Sequence, residues 1–280
     1  MSRIRFTKMH GAGNDYIYVY TPENPIGDPC KAALEWSRFH TGIGSDGLIL
    51  IGQSDVADFS MRMFNNDGSE GKMCGNGIRC VGKYVYDHHL TTDRRISVET
   101  LAGIKIIELH AGPEGSIWGA TVDMGEPIMA DKLQIATPDG SMQQGSISIA
   151  DKTYTATFVS MGSPHCVIFV DDISRIRLAE EGAAIEQSSL FPQGCNIEFA
   201  QKLSNETIRA RVWERGSGIT LACGTGACAV AVAARLNGMT TGKSTIAMDG
   251  GDLTIDWNWE NNHVYMTGPA VTVFEGEINI

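Results

Sequence analysis

The chain has 280 residues, of which 42% are hydrophobic and 20% are charged. This composition suits about two folded domains and excludes an intrinsically disordered chain. With 22 basic and 33 acidic residues the net charge is -11, so we expect no nucleic acid and no membrane surface among its partners. The first residues contain no apolar stretch of signal-peptide length, which predicts a cytoplasmic protein.

Short alternating segments separated by Gly, Asn and Asp predict strands and hairpins throughout the chain. They include ADFSMRMF, RISVET, IKIIELH, TIRARVW and LTIDWNW. Helices are fewer, and we predict them over Lys31 to His40, over Leu178 to Gln187, and directly after Cys74-Gly75 and Cys223-Gly224. In the last two, the segments VGKYVY and AVAVAARL are apolar on nearly every face, which is typical of buried helices.

An offset of 149 residues aligns three separated blocks of the chain with three later blocks. Gly13-Asn14 falls on Gly162-Ser163, FNNDGSEGKMCGNG on WERGSGITLACGTG, and LTTDRRISVETLAGIKI on MTTGKSTIAMDGGDLTI. Cys74 therefore falls on Cys223. The repeat predicts an α+β fold of two pseudo-symmetric homologous domains, each a curved, mainly antiparallel sheet wrapped around a buried central helix.

We place the N-terminal half at residues 1–125, completed by a C-terminal strand at 270–280, and the C-terminal half at residues 126–269. The loop near 125–130 and the turn at Pro138 to Gly140 are the best positions for the boundary between the halves. The active site is expected in the cleft between them.

Seven cysteines, an odd number, argue against a complete disulfide framework. Cys74 and Cys223 differ from the rest because each precedes a glycine, opens a predicted buried helix and occupies the repeat position. A helix N-terminus binds anions and stabilises a thiolate, and can lower a thiol pKa from about 8.5 to roughly 3.5–7.5. Inert packing is the expected role of the other five, Cys30, Cys80, Cys166, Cys195 and Cys228.

Two such thiols on opposite faces of one α-carbon suit racemisation. One thiolate removes the α-proton, the helix amides stabilise the carbanion, and the second thiol protonates the other face. This chemistry needs no cofactor. The cysteine spacings, with no histidine at ligand distance, predict no metal site.

The motifs resemble the diaminopimelate epimerase family nearly end to end. They are KMHGAGNDY, HTGIGSDGLI, FNNDGSEGKMCGNGIRC, VSMGSPHCV, CNIEF, RVWERGSGITLACGTGACA, GGDLTI and MTGPAVTVFEGEI. The resemblance implies a PLP-independent isomerase, without cofactor, that converts LL-2,6-diaminopimelate to the meso form in lysine and peptidoglycan-precursor biosynthesis. It also implies a small zwitterionic substrate and a homodimer.

Carried over by position, the resemblance makes Cys74 and Cys223 the acid and base residues, and His165 and Glu214 the pair that tunes their thiols. The positions implied for substrate binding, including the amides that would hold the reacting carboxylate, are Asn14, Asn65, Gly75, Asn76, Ser163, Asn196, Glu214, Arg215, Gly224 and Thr225. Arg215 offers a bidentate clamp for a second carboxylate.

Three positions depart from the family pattern: Ser163 stands where an asparagine is usual, Gly47 where some members have glutamine, and Ile219 where many have glutamate. One alternative is therefore a related two-cysteine racemase acting on another amino acid such as histidine, although Asn65, Asn196 and Arg215 argue against it. An alternative of another class is a redox-sensing or binding protein that uses the two thiols as a switch.

Overall fold

The computed structural model describes residues 3–279. Its helices are α1 (Pro29–Trp36), α2 (Gly75–Asp87), α3 (Leu178–Glu186) and α4 (Gly224–Leu236), with a short 3-10 helix at Ile173–Arg175. Its strands are β1 (Arg3–Gly11), β2 (Asn14–Tyr20), β3 (Gly47–Gly52), β4 (Phe59–Asn65), β5 (Glu70–Gly71), β6 (Arg95–Thr100), β7 (Gly103–Ala111), β8 (Ile117–Asp123), β9 (Gly145–Ile149), β10 (Lys152–Ser160), β11 (Pro164–Phe169), β12 (Asn196–Lys202), β13 (Thr207–Glu214), β14 (Gly218–Thr220), β15 (Ser244–Met248), β16 (Gly251–Trp257), β17 (Val264–Pro269) and β18 (Val271–Asn279).

The chain divides into two compact units. The first runs as far as Asp123 and resumes at Thr267, and the second is Met124–Met266. Strands occupy all five segments that the alternating patterns predicted, and each unit contains a sheet with few helices. The predicted α+β class is confirmed.

In the first unit, a mixed sheet packs against helix α2. Its strands pair in the order β18, β1, β2, β3, β4, β6, β7, β8, and β5 adds to β4. The β2–β3 and β4–β6 pairs are parallel, and the others are antiparallel. Because side chains alternate along a strand, Ile17 and Leu48 pack with helix α1 on one face, which leaves Tyr16 and Ile49 on the face toward α2.

The second unit repeats this arrangement. Its strands pair in the order β9, β10, β11, β12, β13, β15, β16, with β14 added to β13 and with parallel β11–β12 and β13–β15 pairs. Helix α3 covers one face, where Cys166, Ile197 and Phe199 belong to the core. Helix α4 packs against β10 to β13, β15 and β16. The alternate side chains of β11 and β12, including His165 and Glu198, therefore lie on the face toward α4.

The two central helices begin directly after Cys74 and Cys223, as predicted. Each has 13 residues, and most of these are buried. Helix α3 agrees with its prediction to within one residue. No helix within residues 3–279 is both long and apolar enough to cross a membrane.

Helix α1 was predicted two residues too late at its start and four too late at its end. It begins at Pro29 because the side chain of Asp28 caps it, accepting the N–H of Lys31 at 3.0 Å. It ends at Trp36, whose carbonyl accepts two N–H groups of the following loop. His40 then has φ of 69°, a left-handed conformation that no helix interior contains.

Candidate functional site

Cys74 is the N-terminal capping residue of helix α2. Its backbone is extended, with φ of -127° and ψ of 116°, and its Sγ accepts the N–H of Gly77 at 3.3 Å. The sulfur thus takes the place of the serine or aspartate oxygen that commonly caps a helix. The first N–H groups of any helix lack partners within it, so the amides at Gly75 and Asn76 are those suited to bind an anion beside the thiol.

Polar side chains of Asn14 and Tyr16 contact the Cys74 thiol. Its Sγ lies 3.3 Å from Oδ1 of Asn14, and the Tyr16 hydroxyl is a second hydrogen-bonding partner. Burial, followed by the charges of Cys74 and Asp46, raises the pKa of Tyr16 well above its ordinary value, so the phenol stays neutral. Asp46 lies behind Asn14 and accepts its Nδ2 group at 2.7 Å. Burial raises the pKa of Asp46 as well.

The remaining residues expected in this half belong to β4 and to the first turn of α2. Asn65 pairs with Gly47, which in turn pairs with Tyr16, so the three form one row across β2, β3 and β4. The side chain of Asn76 accepts a hydrogen bond from Nη2 of Arg79 at 2.9 Å. That arginine is fully buried and also donates to the carbonyl of Gly75 at 3.1 Å. The first unit therefore brings together Asn14, Asn65, Cys74, Gly75 and Asn76 as predicted residues around one helix start and the adjoining strands.

Cys223 occupies the equivalent position at the start of α4. Its backbone angles are φ -120° and ψ 116°, and its Sγ accepts the N–H of Gly226 at 3.4 Å. The hydroxyl of Thr225 lies 3.4 Å from the same sulfur. Gly224 and Thr225 begin the helix, so their amides correspond to those after Cys74. The thiol itself is buried, with 7% of the residue exposed.

Carboxylates surround the Cys223 thiol. Burial, followed by the negative charges of Glu214 and Glu198, raises its pKa well above the ordinary value, and the hydrogen bonds from Thr225 and Gly226 lower it only in part. Our expectation of a lowered pKa at a helix N-terminus is therefore wrong for Cys223, because burial and two carboxylates outweigh the helix. The thiol stays protonated at neutral pH.

Glu214 ends β13 beside this thiol. It accepts the hydroxyl of Thr220, and its negative charge raises the pKa of the Cys223 thiol. Burial raises its pKa, whereas the hydrogen bond from Thr220 and the charge of His165 partly lower it. Glu214 is thus a partly buried acid whose charge acts on the Cys223 thiol.

His165 forms a buried pair with Glu198, a residue that sequence reasoning missed. Its Nδ1 lies 2.7 Å from Oε1 of Glu198, and both side chains are fully buried. The signal was present in the motif CNIEF, where a glutamate follows Asn196 by two positions on a strand and therefore shares its face. A charged residue inside an otherwise apolar strand indicates a functional role.

Asn196 contacts several of the predicted site residues of the second unit and their neighbours. It pairs with His165 across β11 and β12, donates to the carbonyl of Pro164 at 3.3 Å, and accepts the backbone N–H of Arg215 at 2.9 Å. The exposed guanidinium of Arg215 donates to the carbonyl of Gln193 at 2.9 Å. Asn196 thus connects the pair at His165 to the arginine expected to clamp a carboxylate.

The three departures from the family pattern have different structural settings. Ser163 is half-buried at the turn between β10 and β11. At Gly47 any Cβ would collide with the carbonyl of Phe64, so this position accepts no longer side chain. Ile219 lies in β14 with 46% of its surface exposed, outside the contacts of Cys223.

No disulfide joins any of the seven cysteines, all of which lie in the described part of the chain. Burial raises the pKa of Cys80 to about 11 and raises those of Cys166 and Cys195 as well. These three and Cys228 are buried, consistent with inert packing. For Cys30 that prediction is wrong, since its side chain is exposed near the start of α1.

The architecture places the chain in a class of α+β proteins with known structures. A phenazine biosynthesis protein of the PhzF family from Bacillus anthracis is similar with a TM-score of 0.73 at 15% identity, over 100% of each chain. A hydroxyproline epimerase from Agrobacterium vitis is similar with a TM-score of 0.70 at 12% identity, over 99% of this chain and 92% of that one. At such identities the likeness shows the fold alone.

The sequence relatives define the family. The family profile described as diaminopimelate epimerase matches residues 6–130 and 157–273. Diaminopimelate epimerase of Phocaeicola vulgatus is 58% identical over 277 residues, covering 99% of both chains. That of Methanococcus maripaludis strain C5 is 50% identical over 278 residues, covering 99% of this chain and 100% of the relative. The chain belongs to the diaminopimelate epimerase family.

Proposed function

We propose that this protein is an isomerase that epimerises LL-2,6-diaminopimelate to the meso form, with Cys74 and Cys223 as its two acid and base residues. One observation carries the proposal: in a chain of this family, each repeat half caps a buried helix with a cysteine whose sulfur accepts an N–H of the first turn. The reaction supplies meso-diaminopimelate for lysine and peptidoglycan-precursor biosynthesis.

The reaction needs a thiol on each face of the substrate α-carbon, and we propose that residues 1–125 with 270–280 supply one and residues 126–269 the other. In one direction a thiolate takes the α-proton and the electron pair stays on the α-carbon, delocalised into the carboxylate. The second thiol then gives its proton to the opposite face, and the configuration is inverted. One thiol and one thiolate remain, with their identities exchanged.

The helix starts stabilise the charge that develops on the carboxylate. The amides of Gly75 and Asn76 in one half, and of Gly224 and Thr225 in the other, are donors preorganised by the helices that follow them. Such donors contribute most in a site that excludes water. No cofactor is assigned a role in this mechanism.

Polar residues further from the thiols bind the second amino-acid end of diaminopimelate. Arg215 uses one guanidinium nitrogen for Gln193 and has further N–H donors for a carboxylate. Asn65, Asn196 and Asn14 both donate and accept, which suits a zwitterion. Ser163 provides a shorter donor and acceptor than the usual asparagine. Each assignment rests on the family resemblance and on position.

His165 and Glu214 tune the thiols. The charge of Glu214 raises the pKa of Cys223. Burial raises the pKa of Glu214 itself, and His165 partly lowers it. Cys223 keeps its proton at neutral pH, because burial and the neighbouring carboxylates raise its pKa. This starting state suits Cys223 to act first as the acid.

We further propose a homodimer in the cytoplasm, the assembly and compartment that the resemblance implies. The net charge of -11 supports a protein without polyanionic partners such as nucleic acid. Light scattering on the purified protein at several concentrations tests the dimer, and a mass of one chain throughout would exclude it.

Exchange of the substrate α-proton with solvent deuterium tests the proposed activity. Reduced wild-type protein should convert LL-diaminopimelate with incorporation of deuterium, and Cys74→Ala and Cys223→Ala should each lose at least about 10³-fold in rate. Cys30→Ala, which removes an exposed thiol outside both sites, serves as the control and should keep wild-type turnover.

The same experiment separates the alternatives. Turnover of another amino acid, such as L-histidine, in preference to diaminopimelate would indicate a related racemase. Binding without proton exchange would indicate a binding or redox-sensing protein. Normal epimerisation by both cysteine variants would contradict the mechanism.

A further inference from the structure

The pair of His165 and Glu198 lies beneath the start of helix α4. The two residues belong to neighbouring parallel strands, and Nδ1 of the imidazole is 2.7 Å from Oε1 of the carboxylate. That oxygen also faces the first turn of α4, because a Cβ placed on Gly226 would lie 2.6 Å from it. An ionised carboxylate only accepts hydrogen bonds, so it favours the ring form with the proton on Nδ1.

The first unit shows that the fold does not require this pair. Subtracting 149 from each number gives Tyr16 for His165 and Ile49 for Glu198. Ile49 occupies the equivalent place, since a Cβ on Gly77 would lie 2.5 Å from its Cδ1. An apolar side chain therefore fills this position beneath α2. Replacing it with a buried pair of polar, ionisable side chains carries a desolvation penalty, and hence favours a chemical role for the pair in the second unit.

Two atoms of the pair have no hydrogen-bonding partner among the described residues. They are Nε2 of His165 and Oε2 of Glu198, both buried. Most buried polar side-chain atoms in proteins are hydrogen-bonded, so two adjacent exceptions call for a reason. A proton-transfer site gives such a reason, because a nitrogen or oxygen atom without a fixed partner is ready to accept or release a proton.

We propose that Glu198 is a positioning residue, which fixes the His165 ring with its proton on Nδ1 and so reserves Nε2 for the proton chemistry of the Cys223 half-site. The inference rests on the proposed function. No bond of Glu198 itself forms or breaks in the reaction. Its negative charge also acts on the neighbouring acids, because it contributes to the raised pKa of Cys223, after burial and Glu214. Within this unit, the charges of Glu214 and Glu198 act on the thiol, and that of His165 acts on Glu214.

The ring form of His165 is tested first in the wild-type protein. The ¹⁵N chemical shifts of labelled histidine distinguish a protonated Nδ1 from a protonated Nε2, and His165→Asn assigns the signal. We expect Nδ1 to carry the proton in the neutral ring. A neutral ring with its proton on Nε2 would overturn the proposal without any variant of Glu198.

Two substitutions then separate the hydrogen bond from the charge. Glu198→Gln keeps an acceptor oxygen for Nδ1 but removes the charge, and we expect Cys223 to be alkylated at a pH about one unit lower, or about tenfold faster at fixed pH. Its kcat should fall about tenfold with KM within about twofold. Glu198→Ala should in addition lose the Nδ1 ring form. Unchanged alkylation and kcat in Glu198→Gln would overturn the proposal.

Glu181→Gln is the matched control. Glu181 is a buried carboxylate of the same unit, hydrogen-bonded to Lys152 at 2.9 Å and to the hydroxyl of Tyr154, and it belongs to α3 rather than to the site. It should leave the ¹⁵N shifts, the alkylation profile and kcat unchanged. Inactive wild-type protein would refute the proposed function. The ¹⁵N and alkylation measurements need no substrate, so they test the role of Glu198 independently of activity.

Discussion

The two helix starts share one backbone design but differ in the charge beneath them. Both cysteines cap a 13-residue buried helix through their sulfur, with nearly the same φ and ψ. Asn14 and Tyr16 contact the Cys74 thiol, and the apolar Ile49 lies beneath the first turn. Near Cys223 the carboxylates of Glu214 and Glu198 raise the pKa of the thiol. The two units thus share the backbone geometry of the helix start, whereas the side chain beneath the first turn differs between them, Ile49 in one and Glu198 in the other.

Placing a carboxylate beneath α2 is the most severe test of this difference. Ile49→Glu puts an acid where Glu198 lies in the other unit, but with Tyr16 in place of a histidine. We expect a loss of about 4 kcal/mol in the free energy of unfolding, because the buried carboxyl gains no imidazole partner of the kind that His165 provides for Glu198. Chemical denaturation measures it, with Ile49→Val as a control that should lose about 1 kcal/mol. Equal losses in the two variants would contradict the account.

The glycines of the two first turns should tolerate a methyl group unequally. In Gly226→Ala the new Cβ meets Glu198, which His165 holds in place, whereas in Gly77→Ala it meets the flexible end of Ile49. We expect losses of about 3 and about 1 kcal/mol respectively in the free energy of unfolding. Urea denaturation of both variants gives the comparison, and a larger loss for Gly77→Ala would show that the carboxylate is not firmly held.

Alkylation should distinguish the two thiols directly. Cys74 is half-buried, whereas Cys223 is buried and has a raised pKa. In a Cys30→Ser background, which removes the exposed thiol, iodoacetamide at pH 8 should modify Cys74 at least about tenfold faster than Cys223. Peptide mass spectrometry over time measures both rates. In denaturant the two rates should converge, and faster reaction of Cys223 in the folded protein would reverse our assignment of the protonated thiol.

The smallest expected effect concerns a buried thiol inside α2. Burial raises the pKa of Cys80 to about 11, so the folded protein keeps this proton at a pH where the unfolded chain loses it. Its contribution to stability is complete below about pH 8.5 and declines as the pH rises toward 11. The repeat counterpart is Ala229.

Cys80→Ala, which copies that counterpart, should reduce the loss of stability between pH 8 and pH 9.5 by about 1 kcal/mol. Urea titrations of wild type and variant at the two pH values measure the change. An identical pH dependence in both proteins would show that the thiol is not responsible.

The sequence by itself determined the class of fold, the central helices and the two cysteines. Alternating strand patterns and helices apolar on nearly every face are local signals, and the 149-residue repeat doubled each of them. The family resemblance carried by the motifs led us to expect Asn14, His165 and Glu214 near the thiols, and the side chain of Asn14 lies 3.3 Å from the sulfur of Cys74.

Only the tertiary structure decided the chemical character of each site. The pairing of His165 with Glu198 joins two strands 33 positions apart, and the raised pKa of Cys223 arises from burial and from carboxylates on two strands. The helix N-terminus alone predicted a lowered pKa for this thiol. The end of α1 at Trp36 and the exposure of Cys30 were likewise set by the loop and surface around them. Burial and electrostatics depend on the whole surroundings of a group, whereas local sequence specifies the backbone that carries it.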